Sequence, residues 1–342
     1  MRFPKVVGVL AGLSLLLAAC GGDDAASTTP TAPPVDPAAD STDDPPDDPG
    51  NGADDPAVDP GDDPAVDPDD SDPDGASGDV PTRIVSLSPT HTEMLFAIGA
   101  GDQVVAVDEF SNHPPEATEK VTDLSGWAPN VEAIASYEPD LVVTDGTNPD
   151  LLDQLDALGI PHWEGPAVVS FDGVYDQLTG LGAATDNAEG AAAVVASMQA
   201  EIDEITAAVP EVDGPLTYYH ELDNTYFSIT SDTFIGYVYS QLGLRSIADL
   251  AEGSGGPYPQ LNVEFILSED PDLIFQACTL YCGETAETMA ARDGWAELSA
   301  IRNGLVFEMD DDIASRWGPR IVDYYRDVAE AIAAATALDE AA

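Results

Sequence analysis

The chain has 342 residues, with ten Lys and Arg against 65 Asp and Glu, a formal charge of −55. Such a surplus excludes ordinary nucleic-acid binding, which needs a basic footprint over the phosphates, and argues against a basic patch for anionic lipid. The acidity is uneven: residues 23–79 hold 19 Asp and no base, which leaves 46 acids and eight bases for residues 80–342. A surface adapted to salt or solubility accounts for that remainder, because an acidic active site would not need so many charges.

The chain opens MRFPKVVGVLAGLSLLLAAC. Arg2 and Lys5 precede an apolar run, 6–18, that is short for a membrane span. Leu17-Ala18-Ala19-Cys20 resembles the bacterial lipobox, so residues 1–19 read as a lipoprotein signal peptide and Cys20 as the lipidated residue. An ordinary secretory signal with an incidental Cys is the blander reading. The lipobox implies an extracytoplasmic protein anchored at the outer face of the cytoplasmic membrane through its acyl chains. Residues 20–80, rich in Asp, Pro and Ala, cannot bury enough apolar area to fold and read as an extended tether.

From Thr82 onward strand-like and helix-like runs alternate, which predicts an α/β fold with parallel sheets. Strands are predicted at 84–87, 104–107 and 141–144, with helices at 93–98, after Asn130, and at 150–158. Residues 81–184 form an N-terminal lobe on this reading. Asp186 with Glu189 resembles a capping box, opening one long connecting helix within 185–210. At 1.5 Å per residue, about 22 residues span roughly 33 Å. Residues 211–342 form a second lobe, with strands at 216–220, 273–276 and 305–308 and helices from Asp232, from Asn262 and over 319–335. NVEAIASYEPDLVV (130–143) recurs without a gap as NVEFILSEDPDLIF (262–275). The prediction is two Rossmann-like lobes joined by one long helix, with a ligand cleft between them.

Several stretches carry a family resemblance: RIVSLSPTHTEMLFAIGAGDQVVAV, the PPEA of 114–117, the two NVE segments, TSDTFIGYVYSQLG and DDIASRWGPRIVD. In that order and spacing the chain resembles the helix-strutted solute-binding proteins of ABC importers for vitamin B12, iron-siderophores and heme. The vitamin B12-binding branch is the best match. The resemblance implies a monomeric receptor, not an enzyme, that captures a cobalamin-like ligand and delivers it to a dimeric permease with its ATPase. A ferric siderophore or heme is the alternative cargo; a metal-ion receptor or a metalloenzyme on the same scaffold is a more distant one. No resident cofactor is implied beyond the bound ligand.

Ligands of open α/β sheets lie beyond the carboxyl ends of the strands. Phe110, Trp127, Phe227 and Tyr258 are then candidate aromatic walls, and His113, Asp145, Asp312 and Arg316 candidate polar contacts. The resemblance places Trp127 and Tyr258 at aromatic contact positions and Asp312 and Arg316 near the ligand's amides. It departs at Asp145, where an aromatic can stand, and at Phe110 and His113, which align only approximately with tyrosines. The plainer reading of the aromatics is core burial; that of Arg316 is a salt bridge to Asp310 or Asp311. Arg320 reads as a support for the C-terminal helix.

His91, His113, His162 and His220 lie on separate segments, none in metal-ligand spacing, so no metal site is assigned. His220 reads as a satisfied structural histidine. Ser88 heads a helix with no evident base, and an N-cap role suffices. Cys278 and Cys282, an exported pair in CTLYC, suggest a local disulfide; a thiolate metal site would lack its second pair. Asn130 and Asn262 are predicted N-caps, with Glu132 and Glu264 in the first turns, where carboxylates favour the positive helix end. The resemblance adds a second role for Glu132 and Glu264, salt bridges to arginines of the permease.

Overall fold

The central strands of each lobe are short and buried almost throughout, and burial on both faces suits parallel pairing, while the edge strands stay partly exposed. The computed structural model describes residues 80–341 except 213 and 252–255. The predicted signal peptide, Cys20 and the tether lie outside the described residues. The elements of the N-terminal lobe are β1 (Ile84–Ser86), α1 (Pro89–Ala97), β2 (Val104–Val107), α2 (Pro115–Thr118), α3 (Val131–Ala135), β3 (Leu141–Thr144), α4 (Pro149–Leu158), β4 (His162–Glu164) and α5 (Phe171–Ala184). A long helix, α6 (Ala188–Ala208), follows. The second lobe continues with β5 (Thr217–Glu221), α7 (Phe234–Gln241), β6 (Arg245–Ser246), α8 (Val263–Glu269), β7 (Leu273–Gln276), α9 (Ala286–Ala290), α10 (Ser299–Arg302), β8 (Val306–Glu308), α11 (Asp311–Ala314) and α12 (Ile321–Ala341).

The two sheets have one topology. The order is β2-β1-β3-β4 in the first and β6-β5-β7-β8 in the second, every pair parallel. The repeat noted in the sequence builds the same turn twice. Asn130 Oδ1 accepts from Glu132 and Ala133 N–H, and Asn262 Oδ1 from Phe265 N–H. Further along each copy, one Asp ties the third strand to the first. Asp140 accepts from the Thr82 amide and hydroxyl and the Arg83 amide, and Asp272 from the Thr217 amide and hydroxyl.

Alternation along the strands splits the N-terminal core between the sheet's faces. Val85, Ala106 and Val142 pack with Ile134 and Leu155 on one side. Ile84, Val104 and Val143 join a core on the other side that continues through α5 and α6 into the second lobe. Phe171 is the hinge pin of that continuity, edge-on to Phe234, Tyr237 and Tyr325. The lobes are therefore packed on one apolar base rather than hung on a flexible linker.

Some local expectations are corrected. The capping box does not form: Asp186 adopts a left-handed φ of 59°, and the N-cap residue is Asn187, without a side-chain cap bond. The Asn187 amide instead donates backwards to Thr185 and Gln103. Helix α5 and strands β4 and β6 had no counterpart in the prediction. In α5 three glycines weaken the helical signal, although Phe171, Val174, Leu178 and Leu181 recur at helical spacing and are buried.

Candidate functional site

The carboxyl ends of both sheets open onto one cleft, in which two cavities share Ser315, Arg316 and Trp317. One, about 360 Å³, has mostly apolar walls, with Val168 and Val169 from the first lobe and Ile229, Phe234 and Tyr258 from the second. The other, about 410 Å³, is more polar and gathers Ser88, Phe110, Asp145, Tyr281, Asp312 and Arg316.

Each wall is held by its own local device. Phe110 follows a turn in which Asp108 Oδ1 accepts the Phe110 amide at 3.2 Å; burial pushes the Asp108 carboxyl above its usual range. Asp145 closes a tight turn by accepting from the amide and hydroxyl of Thr147. Residues 226–230 run antiparallel to 257–261, with Ser228 N–H to Pro259 O and Thr230 N–H to Pro257 O, both 2.9 Å. That ribbon carries Phe227 and Tyr258. Trp127, 91% exposed, follows Gly126, whose Cα comes so near the end of β1 that a Cβ would meet the Leu87 carbonyl oxygen at 2.1 Å. Only glycine permits that approach.

On the second lobe, Cys278 and Cys282 are joined by a disulfide. The loop they close is pinned by the buried Asp311 carboxylate, which accepts from the amides of Thr279, Leu280 and Tyr281. Tyr281 is thereby set in the cleft wall, where its hydroxyl donates to Asp312 Oδ1 at 2.9 Å. Burial first, and then that carboxylate, raise the Tyr281 phenol above its usual value.

Arg316 crosses from one lobe to the other. Its Nη1 donates to Glu93 Oε1 (2.8 Å) and Asn112 Oδ1 (2.9 Å), and its Nη2 to the Phe110 carbonyl (3.2 Å) and Asp312 Oδ1 (2.9 Å). Asn112 also donates to Asp312 Oδ2 at 2.7 Å. The expected partners of Arg316, Asp310 and Asp311, are otherwise engaged: Asp310 caps α11 and Asp311 holds the disulfide loop. Arg320 is likewise corrected. Rather than supporting its own helix, it donates to both oxygens of Glu93 in the other lobe.

The structure thus brings Phe110, Asp145, Tyr258, Asp312 and Arg316 to the walls of one cleft. It does not bring His113, Trp127 or Phe227 into either cavity. His113 lines a separate hollow with Glu93, Pro114, Glu116 and Arg320, where burial, then the charge of Arg320, lower its pKa. Glu93 and Tyr281 were missed. Tyr281 was legible as the aromatic bracketed by two cysteines. Glu93 was legible only as a carboxylate within a buried helix, with its partners more than 220 residues away in sequence.

The other histidines are structural in their contacts. His91 is buried between Trp163 and Trp317, with Nδ1 at 2.8 Å from Ser88 Oγ and Nε2 at 3.1 Å from Gln177 Oε1. Ser88 therefore bonds to His91 and makes no side-chain cap bond, which corrects its predicted role. Burial lowers His91 to a pKa of about 4, so the ring stays neutral. His220 is buried too and pushed down to about 3. Its Nδ1 pairs with Tyr239 Oη, but its Nε2 has no partner among the described residues, so it is only half satisfied there.

Two α/β lobes of one topology, facing each other across a cleft at the strand ends, define a cleft-type binding protein. The chain belongs to the periplasmic binding protein family, whose model matches residues 84–313. It is 32% identical over 251 residues to a cobalamin-binding protein of Halobacterium salinarum, covering 71% of this chain and 67% of the relative. It is 30% identical over 262 residues to YvrC of Bacillus subtilis, an uncharacterized ABC transporter substrate-binding lipoprotein (74% and 80% covered). Among solved structures it is similar to the vitamin B12-binding protein BtuF of Vibrio cholerae, with 27% identity, a TM-score of 0.60, and 75% and 98% of the two chains covered. The heme-binding protein RhuT of Roseiflexus shares the fold at 24% identity and a TM-score of 0.66, with 74% and 98% covered.

Proposed function

We propose that this protein is the lipid-anchored, extracytoplasmic receptor of an ABC importer and that its cargo is a corrinoid such as cobalamin. The charge of the cleft carries the choice of ligand. Asp145, Asp232 and Asp312 stand in the cavity walls, and the one Lys or Arg among the described lining residues, Arg316, is already paired with Asp312 and Glu93. Heme presents two propionates and many ferric siderophores are polyanions; both would meet uncompensated carboxylates. A corrin ring edged with neutral amides would not, and the Tyr281 and Asp145 groups suit amides as donor and acceptor. The names of the Halobacterium and Vibrio relatives support the same reading.

Phe110 and Tyr258 line the cavities with exposed rings, and in this reading the exposed Trp127 and Phe227, outside both cavities, extend that apolar surface. Cavities of about 360 and 410 Å³ are smaller than a whole corrinoid, so much of the ligand rests on these rings at the mouth. In this reading Asp145, Asp312 and Arg316 contact the ligand's rim, His113 stays outside the contact, and the protein performs no covalent chemistry. Glu132 and Glu264 are both exposed in equivalent first turns, one per lobe, and dock onto basic pockets of a two-fold permease.

Calorimetry and absorbance titrations with cyanocobalamin, heme and a ferric catecholate test the ligand. Saturable binding of cobalamin, tighter than that of either anion, is expected. Absent cobalamin binding, or a preference for heme, overturns the choice and leaves the fold as described.

A further inference from the structure

From the contacts behind Arg316, we infer that Glu93 is a positioning and specificity residue: it neutralises an inter-lobe arginine pair so that the cleft accepts neutral corrinoids and rejects carboxylate-bearing ones. The inference rests on the corrinoid reading above and adds to it the residue that sets the charge selectivity.

Glu93 lines neither cleft cavity. It sits on α1, 3% exposed, directly behind Arg316 as viewed from the cleft. Its Oε1 receives Arg316 Nη1 and Arg320 Nη2, and its Oε2 receives Arg320 Nε at 3.0 Å. Gly318 makes room between the two arginines, since a Cβ there would stand 3.1 Å from Glu93 Oε2. The cluster of Glu93, Arg316, Arg320 and Asp312 sums to zero: two cations and two anions. It is mostly buried, with the four side chains between 3% and 19% exposed, so each charge acts across the cleft with little screening.

This arrangement has two consequences. The four donor contacts of Arg316 fix its guanidinium plane, leaving its edge rather than a free ion to the ligand. And the cleft, with Asp145 and Asp232 added, is net acidic although an arginine forms part of its wall. Without the Glu93 charge the cluster would carry one unbalanced guanidinium charge, since Asp312 still pairs with Arg316, and the wall would turn towards anions. The selectivity is therefore written in a residue of the other lobe that does not touch the ligand.

A matched pair of probes isolates the effect. Cobinamide and cobyrinic acid share one ring; the first carries amides where the second carries carboxylates. Their Kd ratio is measured by titration, at one ionic strength, for the wild type and for E93Q, R320Q and E93Q/R320Q. The cluster charge is then zero, +1, −1 and zero. The wild type is expected to favour cobinamide. E93Q should shift the ratio towards cobyrinic acid by about tenfold, R320Q should shift it away by a similar factor, and the double variant should return it to within about threefold of wild type. A merely structural role for Glu93 would move E93Q and R320Q in the same direction and leave the double variant worst of all. That result, or an unchanged ratio in every variant, overturns the proposal. Should E93Q not fold, R320Q, at the more exposed end of the cluster, still decides the sign. A wild-type protein that binds neither corrinoid overturns the ligand reading itself, a separate outcome from corrinoid binding with a flat ratio.

Discussion

The two lobes share a strand order, an Asn cap before the third strand's helix, and an Asp that ties the third strand to the first. They differ in what fills them. The first lobe is aliphatic around its sheet, with Ile84, Val85, Val142 and Val143 fully buried. The second is aromatic: Tyr218, Tyr239 and Phe275 pack on one another, Tyr219 packs edge-on to Trp295, and Tyr239 bonds to His220 and Tyr324. At the cleft the first lobe supplies Phe110 and Asp145, and behind the cleft wall Asn112 and the buried Glu93, both bonded to Arg316. The second supplies Arg316, Asp312 and the disulfide-closed loop with Tyr281, with Arg320 behind them on Glu93. What duplication kept is the scaffold and the outward-facing glutamates; what diverged is the core filling and the cleft.

That comparison can be broken or sharpened, from the largest effect downward. Because the glutamates are the symmetric feature, E132K and E264K together should abolish uptake in a transport assay, with each single substitution giving a partial loss. Ligand affinity, read by titration, should not move. Unimpaired uptake by the double variant would remove the docking role.

Core filling comes next. Val143 and Phe275 occupy the same place in the repeat and are both fully buried. Phe275→Ala should cost about 3–5 kcal/mol in denaturant unfolding, and Val143→Ala about 2 kcal/mol, since far fewer methylene equivalents are lost. Equal costs would mean that the two sheets are packed alike after all.

Acid should unfold both lobes through one histidine each. His91 and His220 are held neutral in the fold, with pKa values of about 4 and about 3, below the ordinary 6.5. The unfolded chain binds these protons first, so stability is full above pH 6.5 and falls as the pH drops towards the folded values. Between pH 7 and pH 4.5 each ring should contribute a loss on the order of 2 kcal/mol. H91Q and H220F, destabilised at pH 7, should show a shallower decline in unfolding free energy. An unchanged slope would place the acid sensitivity elsewhere.

The smallest expected effect is at the exposed aromatics. Trp127→Ala and Tyr258→Ala, one from each lobe, should each weaken cobalamin binding by about tenfold, the scale of one lost aromatic contact. A loss confined to Tyr258 would show that the ligand leans on the second lobe, whose ribbon borders the apolar cavity.

The sequence by itself determined the α/β class, the duplicated lobe, the long helix and the two Asn caps. These follow from local patterns: apolar runs, capping residues, and a gapless repeat of fourteen residues. It also singled out Phe110, Asp145, Asp312 and Arg316, because residues after strand ends of an α/β sheet are candidates wherever the strands are legible, and Tyr258 as an aromatic in the loop before an Asn-capped helix. Helix α5 escaped because its glycines mask a pattern that only packing against α6 makes worthwhile. The roles of Arg316 and Arg320 could be decided only by the tertiary structure. A charge in a sequence pairs with its neighbours by default, and Asp310 and Asp311 stood nearest. In the fold those two carboxylates are taken by backbone amides, and the arginines reach across the cleft to Glu93. Desolvated charges take whichever partner the packed chain places against them, and that placement belongs to the assembled lobes.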